Sequence, residues 1–185
     1  SPLDRSSAAS DVYKRQGLTS AYAPLSASIV GQRVWDVLMQ GTDENGVFGH
    51  GWTYSAHPIG AAAGLANLRL IDELGLVGNA ARVGGHLTAA MRAAVGDHPH
   101  VGEVRGEGML CAVELVRDRD PRTFFAADEG IGAKVVAAML RRGVIARAMP
   151  QGNIIGLAPP LCLTKTEADR IVAVTAEAIG EILGA

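Results

Sequence analysis

The sequence predicts an α/β fold. Strand-like and helical runs alternate after residue 100: a strand within Met109 to Val116, a helix over Ile131 to Leu140, then two strands and a last helix. The two strands, Val144 to Arg147 and Asn153 to Leu157, flank a Pro150-Gln151-Gly152 turn. The last helix opens on Thr164-Lys165-Thr166-Glu167, the spacing of a capping box.

The rest of the chain supplies helices and loops. Residues 1–16 are polar, Ser-rich and aperiodic, and read as a foreign or disordered leader, with a natural flexible tail as the alternative. Ala27-Ser28-Ile29-Val30 reads as a strand. Arg33 to Met39, with Val34, Trp35, Val37 and Leu38, reads as a short amphipathic helix, and Gly41 to Gly51 as a loop. From Pro58 to Leu74, Ile59, Ala63, Ala66, Leu70 and Leu74 recur at helical spacing. Gly60 and Gly64 sit one turn apart and suit a close crossing. Polar residues are scarce until Arg69, so a helix buried on most sides is expected. Gly75 to Gly78 breaks that pattern. A second helix then runs to about Val95, with Val83, Leu87, Ala90, Met91 and Ala94 on one face. Arg141, Arg142 and Gly143 close the helix after Ile131 with cations and a glycine stop. Ala168, Ile171, Val172, Ala178, Ile179 and Ile182 form the inner face of the last helix.

Composition excludes several classes. Hydrophobic content of 48% and charged content of 19% describe a folded globular chain. Aromatics are 4%, so packing must rest on small side chains and close helix approach. A net charge of −2 without a basic block argues against a nucleic-acid surface. No apolar run reaches the ~18 residues of a membrane span. Cys111 and Cys162 lie in apolar runs and read as buried free thiols of a reducing compartment. No secretory h-region is present, so a cytoplasmic location is expected. His98 and His100 flank Pro99 in a turn without a third ligand at useful spacing, so no metal site is expected.

The chemistry centres on Gly49-His50-Gly51-Trp52-Thr53-Tyr54-Ser55-Ala56-His57-Pro58. The glycines allow close backbone approach, hydroxyls follow, and Pro58 suits a first helical turn. Such a loop before a helix can seat an anion such as phosphate; a surface turn capped by Ser55 is the bland alternative. A nucleotide site built on Gly46, Gly49 and Gly51 lacks the strand-glycine-helix arrangement and the downstream acid.

The string Gly51 to Pro58 closely resembles the segment that ends the cofactor site of class III pyridoxal-phosphate-dependent aminotransferases. Gly17-Leu18-Thr19-Ser20-Ala21-Tyr22 resembles the residues just after that family's Schiff-base lysine. Ala158-Pro159-Pro160-Leu161, followed by Thr164, resembles its C-terminal signature. The resemblance covers residues 17 to 185 and is to the ω-amino-acid:pyruvate type. It implies fold type I, with residues 17–75 as the C-terminal part of the large cofactor domain and 76–185 as the small C-terminal domain. It also implies pyridoxal phosphate as cofactor and amino transfer from an amine or ω-amino acid to a keto acid such as pyruvate. An acetylornithine-type or diaminobutyrate-type enzyme is the alternative within the family. A non-catalytic dimerisation or partner-binding fragment is the alternative outside it.

The resemblance also assigns residues. Thr53, with Trp52 beside it, matches the threonine that contacts cofactor phosphate across a subunit boundary, which implies a homodimer. Arg147 matches an arginine that grips the substrate carboxylate; its planar fork suits that task, and a structural arginine is the alternative. Tyr22 is a candidate lining residue of the substrate pocket, with packing as its alternative. The lysine position is occupied by Gln16. Lys14 stands two residues earlier, displaced by ~6–7 Å along an extended chain. A reacting nitrogen cannot be misplaced by that much, so no catalytic residue is assigned and the chain alone is expected to be inactive.

Overall fold

A computed structural model describes the main chain of residues 11–14, and residues 17–47, 49 and 51–184. Residues 1–10 of the expected leader, and Gln16, lie outside the described residues. The chain divides into two compact units, one ending at Glu73 and one starting at Leu74.

The first unit opens with β1 (Asp11–Lys14), paired antiparallel with β2 (Ala27–Val30). A strand therefore stands at the end of a segment whose sequence shows no alternation. Helix α1 (Gln32–Asn45) is longer than its sequence suggests, because Gly41 to Asn45 continue it. It stops at Gly46, whose φ of 79° is left-handed and whose N–H donates to the Thr42 carbonyl. Helix α2 (Pro58–Glu73) follows. Its buried stripe is not the expected one. Ile59, Leu65, Leu68 and Leu70 are exposed, while Gly60 and Gly64 are buried and Ala63, Asn67 and Ile71 half-buried. The cause is the loop at 17–25, which lies against the small residues. A Cβ on Gly64 would stand 2.9 Å from a Leu25 methyl. Asn67 then fastens the loop. Its amide donates to the carbonyls of Gly17 (2.8 Å) and Leu18 (3.2 Å), and its oxygen accepts from the Ser20 hydroxyl (2.6 Å).

The second unit is a four-stranded antiparallel sheet backed by three helices. Its elements are α3 (Leu76–Val95), β3 (Val101–Glu107), β4 (Leu110–Leu115), the small hairpin β5 (Asp118–Arg119) and β6 (Arg122–Thr123), α4 (Ile131–Arg141), β7 (Arg147–Ala148), β8 (Ile154–Leu157) and α5 (Lys165–Leu183). The main sheet has the order β3-β4-β8-β7. Strand β3 is absent from the sequence reading. Gly102 and Gly106 lower its strand propensity, and a register shift between Val101 and Glu103 breaks its alternation. The core joins Leu87 and Met91 of α3 with Val113 and Leu115 of β4, Ile155 of β8, Val135 and Met139 of α4, and Ile179 of α5. Burying each such side chain contributes roughly 1.5–3 kcal/mol. Helix α3 also meets the β3–β4 turn directly, since a Cβ on Gly84 would overlap the Gly108 carbonyl.

The capping box forms as its sequence predicts. Glu167 N–H donates to the Thr164 hydroxyl oxygen (3.3 Å), and the Glu167 carboxylate accepts from Thr164 N–H (2.8 Å). Cys111 is buried as expected, whereas Cys162 is exposed, because it sits in the turn before α5 and not in a strand. No helix among the described residues is long and apolar enough to cross a membrane. No cluster of metal-ligating side chains occurs among them either.

Candidate functional site

Two places carry the candidate residues, one in each unit. In the first unit, Trp52 to Ser55 form a tight turn. Ser55 N–H donates to the Trp52 carbonyl (2.9 Å), and the Ser55 hydroxyl oxygen accepts from Trp52 N–H (3.0 Å). Ser55 therefore closes the turn instead of facing a ligand. The Thr53 hydroxyl forms no hydrogen bond among the described residues, and Thr53, Trp52 and Tyr54 are all exposed. The Tyr54 and His57 rings stack at 6.0 Å between centroids. Pro58 then begins α2, with Ala61 N–H donating to the His57 carbonyl. An exposed hydroxyl with no hydrogen bond among the described residues, a few positions ahead of a helix start, is a donor of the kind that receives a phosphate. These residues fit the phosphate end of pyridoxal phosphate.

Tyr22 lies in the same unit, in the turn Gly17 to Tyr22. Its N–H donates to the Thr19 carbonyl (3.1 Å), and Ser20 and Ala21 both hold left-handed φ angles, 49° and 65°. The turn survives this strain because Asn67 and the Thr19 hydroxyl, which bonds Ala23, fasten it from two sides. The Tyr22 ring is 90% exposed and is not among the residues around the pocket of about 650 Å³ beside this loop.

Arg147 lies in the second unit, on the outer strand β7. Strand register sets Arg105, Ala112, Gly156 and Arg147 in one row across β3, β4, β8 and β7. Their neighbours Val104, Cys111, Val113, Ile155 and Leu157 face the helices, so the row lies on the opposite, open face. Two small residues between two arginines leave a trough. It is a pocket of about 620 Å³, with Leu110 and Met149 among its walls.

The two arginines differ in what already holds them. Arg105 donates to the carboxylates of Glu103 (2.9 Å) and Glu114 (3.2 Å). The other oxygen of Glu114 accepts from Arg122 (3.1 Å), and Glu114 is nearly buried. Burial opposes the charge on Arg105, but the two carboxylates outweigh it and raise the guanidinium pKa above its ordinary value. Arg147 makes no ion pair or side-chain hydrogen bond among the described residues. It is a free planar fork at the rim of an apolar trough. On the helix side, burial pushes the Cys111 thiol up, against a bond from Thr88, so it stays protonated and inert.

Sequence reasoning names Trp52, Thr53, Tyr22 and Arg147 as candidates and does not name Asn67, Arg105, Glu114 or Gly156. The last three become partners or neighbours only through strand register, which no local pattern reveals.

Residues 10–179 match the family described as aminotransferase class III. The chain belongs to the class III aminotransferases. Among its relatives is a diaminobutyrate–2-oxoglutarate transaminase of Halomonas elongata. It is 54% identical over 170 residues, covering 92% of this chain and 36% of the relative. A putrescine–pyruvate aminotransferase of Pseudomonas aeruginosa is 33% identical, with 92% and 36% covered. Solved transaminases have the same fold. One from work on directed evolution of transaminases by ancestral reconstruction superposes with a TM-score of 0.87 at 53% identity, covering 94% of this chain and 38% of that one. A pyridoxal-phosphate-bound amine transaminase from an uncultivated Pseudomonas species gives 0.82 at 36% identity, with 94% and 38% covered. This class III aminotransferase chain thus spans about a third of the length of the relatives it matches. Its α/β architecture is that of fold type I transferases.

Proposed function

We propose that the chain is the C-terminal part of a pyridoxal-phosphate-dependent aminotransferase that moves an amino group from an amine or ω-amino acid to a keto acid such as pyruvate. The observation that carries this reading is the uncommitted guanidinium of Arg147 above an apolar trough. Residues 17–75 belong to the cofactor domain and 76–185 to the small domain. The enzyme acts as a cytoplasmic homodimer.

When bound, the cofactor supplies an electron sink for the carbanion formed on the substrate. The chain's own residues bind and orient. Thr53, beside Trp52, receives the phosphate. Ser55 keeps the turn in shape by accepting from Trp52 N–H. Arg147 binds the carboxylate of the donor or acceptor through paired N–H donors. Tyr22, exposed on a turn that Asn67 holds, is a further candidate for contact with a substrate. Gln16 carries an amide where an amine is needed, so this chain gives no Schiff-base nitrogen at that position.

The test uses the aminotransferase that contains this chain, with its two half-reactions measured separately. Arg147→Ala should lower kcat/KM for pyruvate and for ω-amino acids about tenfold or more, the worth of a charge-assisted pair. Donors without a carboxylate should be nearly unaffected in their own half-reaction. Equal losses for both donor classes, with a lower melting temperature, would assign Arg147 to the scaffold. A diaminobutyrate-type activity is the second reading, favoured by the 54% identity to the Halomonas relative. It predicts 2-oxoglutarate as the better acceptor.

A further inference from the structure

We infer that Gly156 is a specificity-determining residue: with Ala112 it forms the floor of a slot beside Arg147 that admits the apolar body of a monocarboxylate. The inference rests on the reading of Arg147 as a carboxylate ligand and adds what lies next to the carboxylate. Three observations carry it. First, register puts Gly156 directly between Ala112 and Arg147 on the open face. Two side chains at most one carbon long leave a channel there about two strand spacings, ~10 Å, wide. Second, the channel has a defined wall. A Cβ built on Gly156 would stand 3.2 Å from the Met149 sulfur, so any larger residue must displace that thioether. Third, charge orients the occupant. At the far end Arg105 and Arg122 are matched by Glu103 and Glu114, and Glu107 adds a carboxylate with no ion pair among the described residues, so that end offers no free cation. Arg147 is the cation of this trough that has no acidic partner among the described residues. A ligand with a carboxylate at one end and a short alkyl or aryl body at the other is therefore complementary, and a second carboxylate gains nothing on this face.

The experiment is arginine footprinting of the 185-residue chain with phenylglyoxal, read by peptide mass spectrometry. Acetate, butyrate and glutarate serve as protecting probes. Butyrate should slow modification of Arg147 roughly tenfold at saturation, in line with a charge-assisted pair, and leave Arg33 and Arg119 unchanged. Glutarate should protect no better than butyrate. In Gly156→Val, butyrate protection should be lost while acetate still protects, because the guanidinium remains and only the room for the body is gone. Valine suits a strand, and continued inertness of Cys111 to a thiol reagent reports an intact sheet. In Met149→Ala, longer carboxylates such as hexanoate should gain protection. Unchanged butyrate protection in Gly156→Val would overturn the inference while leaving the Arg147 reading in place. No protection by any carboxylate in the unsubstituted chain would overturn both.

Discussion

Arg105 and Arg147 stand in one row of one sheet, yet the same side chain has different uses at the two ends. Both carboxylates around Arg105 accept from its Nη1, and the near-burial of Glu114 makes that pairing the firmer one. Removing Glu114 would leave Arg105 with Glu103 alone and Arg122 without its carboxylate. Arg147 makes no ion pair or side-chain hydrogen bond among the described residues, so its donors are open. Arg147→Lys should restore only part of the carboxylate selectivity, because a point charge cannot offer the paired geometry. The sequence singles out Arg147 as a candidate through its resemblance to a carboxylate-gripping arginine. Gly156 was not legible there, because a glycine inside Ile154 to Leu157 looks like a weak point in a strand until its cross-strand neighbours are known. Asn67 escaped for a related reason: its three partners lie about 50 positions away in the chain.

The helices divide by how much of their formation is local. Helix α5 is specified at its start by Thr164 and Glu167, and both its boundary and its inner face were readable. Thr164→Ala should cost about 1 kcal/mol of stability. The Glu167 carboxyl is held below its usual range, first by the Thr164 N–H and then by the Thr164 hydroxyl. Near the other end of α5, Glu181 is lowered chiefly by its bond from Arg142. Groups with depressed folded-state pKa values contribute stability that is present above the ordinary glutamate value of about 4.3 and lost as pH falls through the folded value. Chemical denaturation should therefore show the midpoint falling between pH 5 and pH 3, by roughly these limits. Glu167→Gln combined with Glu181→Gln should flatten that fall. An acid transition of the same size in the double variant would remove these two groups from the account. Helix α2 is the opposite case. Its periodicity announced a helix but pointed to the wrong face, because a loop backbone approaching Gly60 and Gly64 outranks the apolar stripe.

At the scale of the molecule, the two units differ in how they meet water. The second unit buries a continuous core of aliphatic side chains from all three helices and the sheet. In the first, α1 buries none of its residues, and Trp35, Val37, Met39, Ile59 and Leu65 remain exposed. Apolar surface of that extent drives association. The 185-residue chain should sediment as a concentration-dependent mixture, and a monomer at every concentration would count against this. The α/β class was legible because alternation, caps and glycine stops are local signals. The row of four residues that shapes the trough was not, because sheet order β3-β4-β8-β7 is a property of the whole unit.

The meeting of α3 with the β3–β4 turn has a consequence for how the sequence tolerates change. Adjacent codons there face opposite constraints. At Gly84 a single added carbon would sit 1.8 Å from the Gly108 carbonyl oxygen, so every substitution must push backbone against backbone. At Gly85, one step along the helix, an added carbon meets nothing within 4 Å. In a saturation library scored for folded protein, position 84 should accept glycine alone. Position 85 should accept most residues, and alanine there should outperform the parent by roughly 0.5–1 kcal/mol.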